Sequence, residues 1–233
     1  MLCDIRRDLK THVDASYREG AENYFKEGIK ILGVRTPMVR KIAAQYYTLV
    51  KAKPKKEIFR LCERLLKSNL AEERAIAFDW AYRQKGAYEK KDFTLFESWL
   101  KKYVSNWAAC DDLCGHTFGY FIFMFPQFFP RIKIWAHSHN RWLRRASAVV
   151  LIYSVRKKRM LREAFVVADI LLKDSDDMVQ KAYGWMLKEV SNQYPERVFS
   201  YVMKHKDKMP RTALRYAIEK LSLSLKKQAM KKD

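Results

Sequence analysis

Tight turns, membrane spans and acidic side chains are what this chain has least of. Among its 233 residues only 7 are glycine and 6 proline. That scarcity argues against a turn-rich all-β chain and fits a helical one. No run reaches the roughly 18 consecutive apolar residues that a membrane-spanning helix requires. The opening segment, MLCDIRRDLK, carries charge where a secretion signal has an apolar stretch. The expectation is therefore an intracellular, cytoplasmic protein. In that setting the four cysteines (Cys3, Cys62, Cys110, Cys114) read as reduced thiols. Cys110, Cys114 and His116 form Cys-x-x-x-Cys-x-His. That pattern lacks a second ligand pair and matches no common zinc spacing. No metal is expected, and these cysteines read as small buried helix residues.

Acid is outnumbered: 26 Asp+Glu stand against 47 Lys+Arg, a formal net charge of +21. Self-repulsion of that size disfavours the compact state, and a polyanionic partner relieves it. Nucleic acid is the commonest such partner; an anionic membrane surface is the rival. No helix here combines a basic face with a long exposed apolar one, so no membrane partner is expected. Hydrophobic residues at 48% and aromatics at 14% supply a core and exclude disorder as the default. The length suits one domain over 1–233, with 225–233 as a frayed basic tail. No signal for oligomerisation stands out, so a monomer is expected.

Apolar residues recur at helical spacing almost throughout. Ile58, Leu61, Cys62, Leu65 and Leu66 form one stripe; Phe165, Val166, Ile170 and Leu171 begin another. Strand-like alternation is missing. About a dozen helices joined by short polar loops are expected. Thr36-Pro37 predicts a helix in TPMVRKIAAQYY, with Thr36 as its cap. Lys173–Asp177 reads as a loop with acids at the next helix start. Tyr194-Pro195 separates two helices. The aromatic cluster between Phe121 and Phe129 reads as packing between repeats.

A repeat emerges on alignment. RAIAFDWAYRQK from Arg74, RASAVVLIYSVRKK from Arg145, KAYGWMLKEVSNQY from Lys181 and RTALRYAIEKLS from Arg211 each open on a basic residue. Their offsets are 71, 36 and 30 residues, the first being about two repeats. HEAT-type and tetratricopeptide-type helix pairs have that period. The expected architecture is an all-α, HEAT-like solenoid with a concave basic groove. Small residues such as Ala146, Ala148 and Gly184 would let its helices approach closely.

Trp107 and Asp111 lie four residues apart and share a helix face. Arg144 and Arg145 lie one repeat later, and Trp185 one repeat later again; from Trp107 to Arg145 to Trp185 the steps are 38 and 40 residues. Stacked repeats would set Trp107, Asp111, Arg145 and Trp185 on one surface. Singly, each has a structural role open to it: tryptophans as core, Arg145 as an ion-pair partner, Asp111 with Asp112 as a solvated acidic pair. Together they are less easily dismissed, because a carboxylate on a phosphate-binding surface repels the partner unless it has a specific task. Lys181 and Lys188 flank Trp185 at i−4 and i+3, hence on its face.

These motifs resemble the AlkD-like DNA alkylation repair glycosylases. The resemblance begins near Tyr24. It continues through ILGVRTPMVRKIA, Trp-x-x-x-Asp at Trp107 and Asp111, WLRRASA around Arg145 and QKAYGWMLKE around Trp185, and fades after about Arg215. The family pattern often has Asp directly after the first Trp, where this chain has Ala108. The resemblance implies a HEAT-like fold and excision of N3- and N7-alkylated purines from double-stranded DNA, with no cofactor. It implies Asp111 as the catalytic carboxylate, Trp107 and Trp185 as aromatic walls, and Arg145 as a phosphate or sugar contact. Tyr24 matches a family aromatic near the lesion. Arg144, Lys181, Lys188, Arg211 and Arg215 are candidate DNA contacts, and a prokaryotic member would sit with the nucleoid. The alternative is a non-catalytic HEAT-like nucleic-acid scaffold, which has no use for Asp111.

Overall fold

The computed structural model describes residues 1–231, and every regular element among them is helical. The chain forms two compact units, one ending at Leu113 and one beginning at Cys114. None of the described helices is long and apolar enough to cross a membrane.

The first unit contains α1 (Leu2–Thr11), α2 (Ala15–Tyr24), α3 (Thr36–Tyr47), α4 (Lys55–Leu66), α5 (Ala71–Arg83), α6 (Asp92–Tyr103) and α7 (Trp107–Asp112). Helix α5 is its centre, packing against α3, α4 and α7. The wholly buried Trp80 donates its indole N–H to the Ala43 carbonyl at 2.8 Å and so ties α5 to α3. The stripe expected on α4 is present with one change: Phe59 is buried and Leu61 only half-buried. Phe59 meets Phe96 and Trp99 of α6 edge-on, at 5.7 and 5.9 Å between ring centres. Glu63 of α4 accepts hydrogen bonds from Trp99 and Tyr103. Helix α3 spans the predicted segment, but Thr36 is its first helical residue and Arg35, in an extended conformation, is the cap.

The second unit contains α8 (Phe118–Met124), α9 (Phe129–Ala136), α10 (Arg141–Arg156), α11 (Leu161–Leu171), α12 (Asp177–Ser191), α13 (Pro195–His205), α14 (Arg211–Ala217) and α15 (Leu223–Met230). Helices α8, α10, α12 and α14 pack in sequence as one layer. Against this layer, α9 packs on α10, α11 on α10 and α12, and α13 on α12 and α14, while α15 packs on α13. This is a helical-repeat fold. The four aligned segments begin in α5, α10, α12 and α14, so within this unit three of them are successive members of one layer. Asp176 caps α12 by accepting from Met178 N–H, and Pro195 opens α13, as their sequence positions suggest. Phe121 is fully buried and packs on Phe125 and Phe128, which like Phe123 and Phe129 are only half-buried, so the aromatic cluster enters the core through Phe121. Of the segment expected to fray, residues 225–230 belong to α15, where Ala229 is buried, and residues 232 and 233 lie outside the described residues.

Close helix approach explains one glycine. A Cβ on Gly184 of α12 would lie 2.7 Å from Tyr216 Cβ and 2.8 Å from the Ala213 carbonyl oxygen of α14. Backbone and Cβ atoms cannot swing aside, so α14 would have to shift bodily. Gly184→Ala is expected to destabilise the protein by about 1–3 kcal/mol despite its better helix propensity. Chemical denaturation of the two proteins checks this; a stabilised variant would mean the α12–α14 approach is looser than described.

Candidate functional site

Helix α7 starts where Asn106, almost fully buried, accepts the Ala109 N–H at 2.9 Å through its side chain. Trp107 is the first residue of that helix and is half-buried. Its ring stacks on Phe25, with centres 5.3 Å apart and planes 7° from parallel. Tyr24 meets the indole edge-on at 6.2 Å and is itself 69% exposed. Tyr24, Phe25 and Trp107 thus form an aromatic cluster that reaches the surface. Asp111 follows one turn along α7, half-buried. Its neighbour Asp112 acts on a buried arginine. Burial lowers the pKa of Arg74 of α5, and the charges of Asp112 and Glu72 oppose that effect. Asp112 is therefore electrostatic support for a buried guanidinium.

The cluster depends on the loop after α2. Two glycines there have left-handed φ values, Gly28 at +76° and Gly33 at +100°, where other residues are strained. At Gly33 a Cβ would also lie 2.6 Å from the Asp14 carbonyl oxygen. Glu72, at the start of α5, accepts the N–H groups of Leu32, Gly33 and Val34 at 2.8–3.1 Å. Ala71 N–H donates to the Lys30 carbonyl at 2.8 Å. Beside Glu72, Glu73 receives a two-pronged hydrogen bond from Arg6 at 2.9 Å. The first turn of α5 thus anchors both α1 and this loop.

In the second unit Arg145 is 5% exposed and donates to the Met178 carbonyl, on the helix that carries Trp185. Arg144 behaves differently: it pairs with Asp174 at 2.6 Å and donates to the Ser138 and His139 carbonyls. It binds together the turns before α10 and α12. Trp185 is half-buried, and its indole N–H donates to Glu189 Oε1 at 2.9 Å. Arg156, at the end of α10, grips the same carboxylate through Nε at 3.0 Å and Nη2 at 2.7 Å. Burial opposes ionisation of Glu189, but the hydrogen bonds from Arg156 and Trp185 outweigh it and hold its pKa below the usual value. Lys188 pairs with Glu219 at 3.0 Å and lies 5.7 Å from the centre of the Tyr216 ring. Lys181 pairs with Asp177 at 3.0 Å, and Arg211 and Arg215 are exposed on α14.

Three participants escape a reading of the sequence. Phe25 is adjacent to Tyr24 but has no periodic signal. Glu189 is four residues from Trp185, a spacing that could have flagged it. Arg156 comes from another helix, and only packing reveals it.

A family model described as "DNA alkylation repair enzyme" matches residues 5–221. Among solved structures the chain resembles a "Predicted DNA alkylation repair enzyme from Enterococcus faecalis". That similarity has a TM-score of 0.79 at 16% identity and covers 91% of this chain and 98% of the other. The curated proteins contain no match.

Proposed function

This chain belongs to the family of DNA alkylation repair enzymes, and from that premise we propose that it is a DNA glycosylase that hydrolyses the N-glycosidic bond of cationic N3- and N7-alkylated purines in duplex DNA. Alkylation at either nitrogen puts positive charge on the purine. When the bond to C1′ breaks, its electron pair neutralises the departing base. The sugar is left with oxocarbenium character. The Asp111 carboxylate stabilises that cation and orients the water that adds to C1′. The water's surplus proton passes to solvent or to the carboxylate. Trp107 and Trp185 present aromatic faces to the sugar-phosphate backbone, since ring quadrupoles attract cationic and polarised C–H groups. Arg145 contacts a phosphate or the sugar. Lys181, Lys188, Arg211 and Arg215, with Arg144 and Tyr24, complete the DNA contacts. None of these steps calls for a metal or an organic cofactor.

One observation carries most of this reading. Asp111 sits a single helical turn from a tryptophan whose ring belongs to a surface-reaching aromatic cluster. The test is release of base under single-turnover conditions. Duplex DNA with 7-methylguanine is expected to lose its base, and a duplex with uracil, a neutral base, to keep it. Equal release of both would contradict a mechanism that relies on a cationic leaving group. DNA bound with no release of either would favour a non-catalytic scaffold. Affinity should also fall steeply with salt, because phosphate contacts displace condensed counterions. Binding that survives high salt would sink the phosphate-contact model.

A further inference from the structure

Building on that reading, we infer that Glu189 is a positioning residue: held by Arg156, it captures the Trp185 N–H and fixes the orientation in which the indole ring meets the substrate. Glu189 Oε1 accepts both from Trp185 Nε1 at 2.9 Å and from Arg156 Nη2 at 2.7 Å, while Oε2 accepts from Arg156 Nε at 3.0 Å. Asn192 adds a longer contact of 3.4 Å to Oε2. The Arg156 guanidinium carbon also lies 6.0 Å from the centre of the Trp185 ring.

Two consequences follow from this geometry. An indole N–H is a donor that a DNA phosphate oxygen would accept. Here it is committed to Glu189, so Trp185 offers its carbon framework and π-face instead. The second concerns charge: a bare carboxylate beside Trp185 would repel a polyanion. The two-pronged pair with Arg156, a geometry that guanidinium and carboxylate match closely, compensates it. Because Arg156 ends α10 and Glu189 lies near the end of α12, the clamp also joins two successive helices of the layer.

The test is a double-mutant cycle in the full chain, read as single-turnover release of 7-methylguanine. Glu189→Leu is expected to slow release at least about tenfold, as misplacement of a substrate-positioning group does. Glu189→Gln keeps an oxygen that can accept from the indole, and should hold the rate within about threefold. In a Trp185→Phe background there is no N–H to hold, so Glu189→Leu should cause no further slowing. The indole ¹H–¹⁵N resonance of Trp185 should move in Glu189→Leu and stay in place in Glu189→Gln. Equal losses from Glu189→Leu in both backgrounds would mean that Glu189 merely supports the fold, and would overturn the inference alone. A wild type that releases nothing would overturn the glycosylase reading and this inference with it.

Discussion

Asp111→Asn should slow single-turnover release of 7-methylguanine by on the order of 10²–10³-fold, the loss seen when one preorganised electrostatic partner of a developing charge is removed. Asparagine has nearly the shape of aspartate and still accepts hydrogen bonds. It lacks the negative charge that the proposed mechanism sets against the oxocarbenium-like sugar. DNA affinity should stay level or rise slightly, since a charge that repels phosphates is gone. That divergence between rate and affinity is the useful signature. A fall in both would point to a distorted fold. An unchanged rate would make the Trp107/Asp111 pair a structural feature. Asp112→Asn provides the control. Asp112 opposes the burial of Arg74, so its replacement should reduce stability more than it reduces the rate.

The second large effect concerns the loop behind the aromatic cluster. Glu72→Leu is expected to destabilise the protein by roughly 3–5 kcal/mol, because three N–H groups lose their acceptor, two of them buried with it. In a chain of this size that corresponds to a thermal midpoint lower by roughly 10 °C. The damage should be local at first: the segment between Phe25 and Val34 loses its anchor, and limited proteolysis should nick it there before the rest of the chain. Phe25 borders that segment, so its stacking on Trp107 should loosen and base release should slow as well. A Glu72→Leu protein with wild-type stability would mean that the loop is held chiefly by its glycine turns and by the Ala71–Lys30 backbone hydrogen bond.

Some of this was legible in the one-dimensional pattern, and the reason is the same in each case. Helical period, capping residues and basic repeat openings act over a few residues, so they are written locally. Hence α3 spans Thr36–Tyr47, Asp176 caps α12, and three of the aligned segments fall on successive helices of one layer. The Trp107/Asp111 spacing is local in the same sense, and the net charge needs only a count over the chain.

Partnership between helices is another matter, because it depends on which faces packing brings together. Arg144 and Arg145 are neighbours in the chain, yet one ties turns together through Asp174 while the other reaches the Met178 carbonyl of α12. The part played by Asp112 likewise shows only in the fold, where its charge bears on the buried Arg74. Glu72 looks like an ordinary acid in the first turn of a helix, and only the fold delivers three backbone donors to it. The sequence alone determined the all-helical repeat and the spacing of the residues proposed for the site. Tertiary structure decided how deeply each side chain is buried and which partners hold Arg144, Trp185 and Glu72, since hydrogen-bond geometry and burial exist only once distant helices have met.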